Sequence, residues 1–256
     1  NDIKQIKNAF LNVFFLALSA YFTPNFSIFA IYFFYKYFLI FGFSKKILGI
    51  FITNLLLALP AIYFLIAKDF YIFNSNVFEV DNSTKYNLSN KIIIITTIIF
   101  LFFLPLLPSP QKIKSLLFKK NFLNPKFFII LVFALMNIFY FDFLENAGGG
   151  IFFHLSNVLF NNYILVYLIF IMTLILFYLF DLYSFNNLLI YFSLIFYNTQ
   201  FSIYYKYFDP LMIFIILFLI KYTKDYNIEL KKIYKKYVIF YVFFLSLNLV
   251  KVYVSY

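Results

Sequence analysis

Apolar runs of 14 to 21 residues follow one another along almost the whole chain, and most of the charged residues lie in the gaps between them. The runs cover 9–22, 26–43, 47–67, 92–107, 127–144, 161–180, 186–200, 203–220 and 238–254. A helix needs about 20 mostly apolar residues to cross a bilayer, and fewer where the bilayer thins or polar ends reach the interface. The pattern therefore predicts an all-α fold, a polytopic transmembrane helix bundle of eight or nine spans. Residues 1–256 read as a single transmembrane domain, because neither an internal repeat nor a linker interrupts the series. The composition agrees, with 64% hydrophobic and 26% aromatic residues. A water-soluble domain of this size cannot bury so much apolar surface.

Lysines set the expected orientation. All 21 basic residues are Lys, and they gather at Lys4 and Lys7, at Lys45 and Lys46, over 111–126, and over 221–236. With nine alternating spans these four groups fall on one side, which the excess of positive charge in cytoplasmic loops identifies as cytoplasmic. The N-terminus is then cytoplasmic, and the chain reads as an integral, multi-pass protein of a bacterial inner membrane or its equivalent. The opposite side receives the turn at 23–25, the polar loop 68–91, the segment 145–160 and the segment 198–210. The chain begins at Asn1 with neither a basic start nor a small-residue cleavage site, so it reads as a piece of a longer polypeptide.

Two lysine-rich segments carry helical periodicity. In "IELKKIYKKYV", Leu230, Ile233, Tyr234, Tyr237 and Val238 form a stripe opposite Lys231, Lys232, Lys235 and Lys236, and "QKIKSLLFKK" is a weaker copy. Both are predicted as short interfacial helices whose lysines fix topology. The net charge of +11 raises nucleic acid as a partner, but the lysines hug span ends and form no platform interleaved with aromatics, so that partner is excluded.

Soluble-enzyme motifs are missing. With no Cys and a single His, neither a metal cluster nor a thiol site is expected, and the glycines are not spaced for a dinucleotide or phosphate loop, so no cofactor or metal is predicted. What remains is polar chemistry at the outer ends of spans. In "ENAGGGIFFH", Asp142 and Glu145 would share one face if the preceding helix continued, Gly148 to Gly150 break it, and a short helix carrying His154 follows. Open amides around Gly149, with Glu145 and His154, could line a polar cavity; the alternative is a turn without a ligand.

In "YYKYFDPL", Asp209 before Pro210 has the form of a helix start. The amides there favour an anion, with Lys206 as a point charge and Tyr204, Tyr205 or Tyr207 as donors. Such a group would suit a lipid-linked phosphate or pyrophosphate. Within the spans, Lys36 is expected to extend toward the nearer interface, Asn54 and Asn137 to hydrogen-bond between helices, and Pro60 to kink its helix.

Taken together, the late outer "YYKYFDPL" and the span-turn-span unit "SAYFTPNFSIFAIYFFYKYF" resemble the C-terminal part of GT-C-type membrane glycosyltransferases. The resemblance implies sugar transfer from a polyprenyl- or dolichyl-phosphate donor to an acceptor glycan or lipid on the non-cytoplasmic face, with membrane lipid as solvent. It implies that Lys206, Tyr207 and Pro210 match the basic residue, Tyr and Pro of the family's late outer loops. The family's catalytic acid belongs to its first outer loop, where this chain has only "TPN", so no catalytic base is assigned. Glu145 and Asp142 are expected only to shape the acceptor cavity. Two rivals stand beside this reading: a transporter or flippase of saccharide or polyisoprenoid cargo, and a non-catalytic membrane scaffold.

Overall fold

The computed structural model describes residues 2–67, 87–120, 122–143, 148–197, 203–204, 208–209, 211–222, 234–243 and 246. Every element among them is helical and none is a strand, so the all-α expectation holds. The chain divides into two compact units, one of Asn1–Asn87 with Phe185–Ile203, the other of Leu88–Ser184 with Tyr204–Tyr256.

The first unit contains α1 (Asp2–Phe22), a 3-10 turn at Pro24–Ile28, α2 (Phe29–Phe41), α3 (Lys45–Ala67) and α9 (Phe185–Tyr197). Its small core is Ala9, Val13, Tyr37, Ile47 and Ile50, drawn from α1, α2 and α3. Polar ties are few. The Asn12 amide donates to the Tyr37 hydroxyl at 2.7 Å, and the Tyr21 hydroxyl donates to the Leu57 carbonyl, one turn before Pro60. Tyr197 of α9 meets Phe26 edge-on at 5.5 Å. The Lys36 ammonium lies 5.4 Å from the centre of the Tyr32 ring, so its charge is held by an aromatic face on its own helix.

The second unit is built on α4 (Leu88–Phe103), whose residues from Lys91 to Phe103 are all buried. Around it are α6 (Pro125–Phe139), α7 (Gly150–Phe160), α8 (Ile164–Leu179) and α10, a single turn at Leu211–Phe214 that widens into a π-turn over Ile215–Leu219. Pro105 ends α4 in a 3-10 turn, and α5 (Pro110–Lys119) follows. A further helix, α11, covers 234–243. Of its stripe, Tyr237 is buried, while Tyr234 is 72% exposed and Val238 43% exposed.

Three expectations about elements change. The run 127–144 is helical only to Phe139, and Phe141 and Phe143 are buried outside the helix; Asp142 therefore lies outside any described helix, and Glu145 lies outside the described residues. Among the described residues of the run 203–220, helix begins at Leu211, and Phe208 and Asp209 form a turn. The Asn137 amide donates at 2.8 Å to the Phe133 carbonyl of its own helix, not to another helix. Of the described helices, two are long and apolar enough to cross a membrane, Lys45–Tyr63 and Leu88–Leu106, while five further apolar helices have 10–17 residues.

Candidate functional site

The glycine-rich elbow of the second unit is held by one polar clamp and one aromatic cluster. After Tyr140 the chain runs without regular secondary structure through 141–143. There the Asn90 amide donates to the Asp142 carbonyl at 2.6 Å while the Asp142 N–H donates to the Asn90 side-chain oxygen at 2.9 Å. The side chain thus completes both backbone bonds of Asp142, as a neighbouring strand would. Phe143 and Phe153 meet edge-on at 5.0 Å, Phe153 stacks on Tyr163 at 5.6 Å, and the Tyr163 hydroxyl donates to the Phe143 carbonyl at 3.2 Å.

Glycine is required where this cluster closes. Gly149 has φ +105°, and a Cβ there would lie 2.4 Å from the Phe153 ring. Gly149 is thus explained by the close approach of backbone to ring, and α7 starts directly after it. His154 faces outward on α7, with its ring edge-on to Phe153 at 5.7 Å. At the far end of α7, Ser156 is buried and its hydroxyl donates to the Asn162 carbonyl at 2.6 Å, while the Asn162 side chain accepts from the Ile164 N–H at 3.0 Å and starts α8.

Asp209 stands elsewhere in the same unit. Phe208, Met212, Ile215 and Ile216 are fully buried and anchor α10, which packs on α4. The half-buried Asp209 carboxylate accepts a hydrogen bond from the Tyr241 hydroxyl of α11. One turn earlier on α11, the Tyr237 hydroxyl donates to the Phe102 carbonyl of α4 at 2.7 Å. The carboxylate expected to cap a helix is thus engaged by a phenol from a distant segment. Tyr204 is partly exposed, and Tyr205, Lys206, Tyr207 and Glu145 lie outside the described residues, as does the loop over 68–86. Among the described residues no hydrogen bond joins Asp209 to Gly149 or His154, and no three acidic or His side chains gather as a metal site.

Sequence reasoning missed Lys91. It reads as the last residue of a polar loop, yet its side chain is 3% exposed within the first turns of α4, beside the Asn90 clamp. The available signal was position: Lys91 directly precedes the unbroken run Ile92 to Ile95, so a helix beginning at Leu88 carries it into the packed part of the unit.

The chain matches no protein-family model, no curated protein and no solved structure.

Proposed function

We propose that this chain is a multi-span membrane protein and serves as a lipid-linked sugar transferase, or part of one, acting on the non-cytoplasmic face. The observation that carries the membrane part is the exposure of α3: only 11% of its span Lys45–Tyr63 is buried, with Phe51, Leu55, Leu56 and Tyr63 each half exposed or more. A core helix of a soluble protein would be covered, so this surface calls for an apolar solvent.

The pairings within each unit support the alternating topology. In the second unit, Asn90 with Asp142 and Tyr163 with Phe143 join ends read as outer; Lys120 with Asp181 and Lys236 with the Leu107 carbonyl join ends read as inner. In the first, Phe26 with Tyr197 joins outer ends. The shorter helices Pro125–Phe139, Ile164–Leu179 and Phe185–Tyr197 span with the help of their flanking residues, while α5 and α7 lie at the interfaces.

Chemically, the proposed reaction breaks the bond between the sugar C1 and the donor phosphate oxygen and forms a bond from C1 to an acceptor hydroxyl. The acceptor proton passes to a carboxylate, and polyprenyl phosphate leaves. Lys206, aided by Tyr205 and Tyr207, holds the phosphate as charge develops on it. A polyprenyl-phosphate hexose labelled in its sugar tests this in native membranes. Lys206→Ala is expected to insert normally and to abolish release of the label from the donor; undiminished release overturns the clamp.

A second reading, a transporter or flippase, is favoured by one observation: the helical segment from Leu211 to Leu219 is short, follows a turn at Asp209 and ends in a π-turn. Half-length helices that leave a carboxylate at membrane depth are a transporter device. Donor movement across vesicles without sugar release would choose that reading.

A further inference from the structure

On the membrane reading above, we propose that α5 lies flat in the inner headgroup layer and binds anionic phospholipid, anchoring the inner end of the second unit. No residue of α5 is buried, although the helix is amphipathic and is flanked by α4 and α6, two of the most apolar helices of the unit. At about 100° per residue, Ile113, Leu116 and Leu117 share one third of the circumference, with Lys112 and Lys119 along one border and Lys114 along the other. That order lets the stripe enter the acyl boundary while the lysine stems extend outward on both sides.

Charge complementarity selects the lipid. Residues 104–141 contain no Asp or Glu and five lysines, of which Lys120 is satisfied by Asp181. Lys112, Lys114, Lys119 and Lys126 are exposed, and Lys236 of α11 reaches the Leu107 carbonyl just before α5, bringing a second lysine group to the same end. Beyond the stripe, Leu123 is 93% exposed, and Phe118, on the far side of Lys114, is 80% exposed. A positive stripe with exposed rings and no acid of its own fits phosphatidylglycerol-like headgroups over neutral ones.

The absence of native Cys makes the test clean. The full chain with Leu117→Cys carrying an environment-sensitive fluorophore is placed in bilayers of phosphatidylcholine with phosphatidylglycerol, one or the other brominated near the headgroup; Leu55→Cys on α3, read with lipid brominated deep in the acyl chains, serves as the deep control. The Leu117 label is expected to be quenched about threefold more by brominated phosphatidylglycerol, within the roughly fivefold that each lysine offers at an unscreened anionic surface. Replacing Lys112, Lys114 and Lys119 by Gln is expected to equalise the two lipids, and replacing them by Arg to keep the preference. Equal quenching in the unaltered chain overturns the anionic preference. Quenching of Leu117 by aqueous iodide alone, with Leu55 still quenched by lipid, overturns the docking of α5 and leaves the membrane reading standing. If lipid quenches neither label, the membrane reading falls, and the anchor with it.

Discussion

The side chain of Asn90 closes both backbone hydrogen bonds of Asp142, 52 residues away, and so fixes where the chain leaves α6 and enters the elbow. Asn90→Ala loses both bonds and is expected to cost about 1–2 kcal/mol. Asn90→Asp keeps an acceptor for the Asp142 N–H and is expected to cost less. Thermal unfolding in detergent reads the order, and equal losses for the two variants would show that the clamp is not reciprocal.

Gly149 and Gly42 both adopt positive φ, but only one is crowded. A methyl group at Gly149 meets Phe153, which is fully buried between Phe143 and Tyr163 and has no room to yield. Gly149→Ala is expected to destabilise by about 3 kcal/mol or more. At Gly42 the same group enters open space, leaving the backbone cost of about 1–2 kcal/mol alone. Similar losses at the two sites would contradict the packing described for the elbow.

Tyr241→Phe removes the donor that Asp209 uses, and is expected to cost about 1.5–3 kcal/mol because the acceptor is a carboxylate. Combined with Asp209→Asn, the loss is expected to fall short of the sum of the single variants. Tyr237→Phe leaves the Phe102 carbonyl without its phenol and is expected to cost about 1–2 kcal/mol. Additive losses for Tyr241→Phe and Asp209→Asn would mean that the two side chains act independently.

The pair of Lys120 with Asp181 should contribute little. Asp181 is 59% exposed, and exposed ion pairs are worth about 0–1 kcal/mol. Lys120→Gln is expected to stay within that range. Asp181→Gly is expected to be neutral or slightly stabilising, because Asp181 sits at φ +53° and glycine relieves that strain. A loss well above 1 kcal/mol for Lys120→Gln, measured by the same unfolding assay, would give the pair a larger role than its solvation permits.

Much of the helix inventory was legible because apolar runs and their punctuation map directly onto helices. Lys45–Ala67 and Ile164–Leu179 follow runs bounded by Ser-Lys-Lys and by Asn pairs, and the break at Gly148 to Gly150 followed by a short helix was readable from glycine alone. Hydropathy failed where apolar residues are buried without being helical. Phe141 and Phe143 look like the end of a span, yet they are buried against aromatic rings outside any helix. It failed again at Asp209, whose partner lies 32 residues ahead and has no local signature. Lys91 escaped notice because a lysine at a loop end is ordinarily solvated, and only the packing of α4 shows that this one is not.

The account stands on the separation of outer residues from the lysine-rich inner ends, and both ends can be probed within the second unit. His154 and Ser115 are exposed, on α7 and α5, and the chain has no native Cys. In intact cells a membrane-impermeant maleimide is predicted to label His154→Cys and to label Ser115→Cys only after the cells are opened. Labelling of both in intact cells, or of Ser115→Cys alone, would contradict the account.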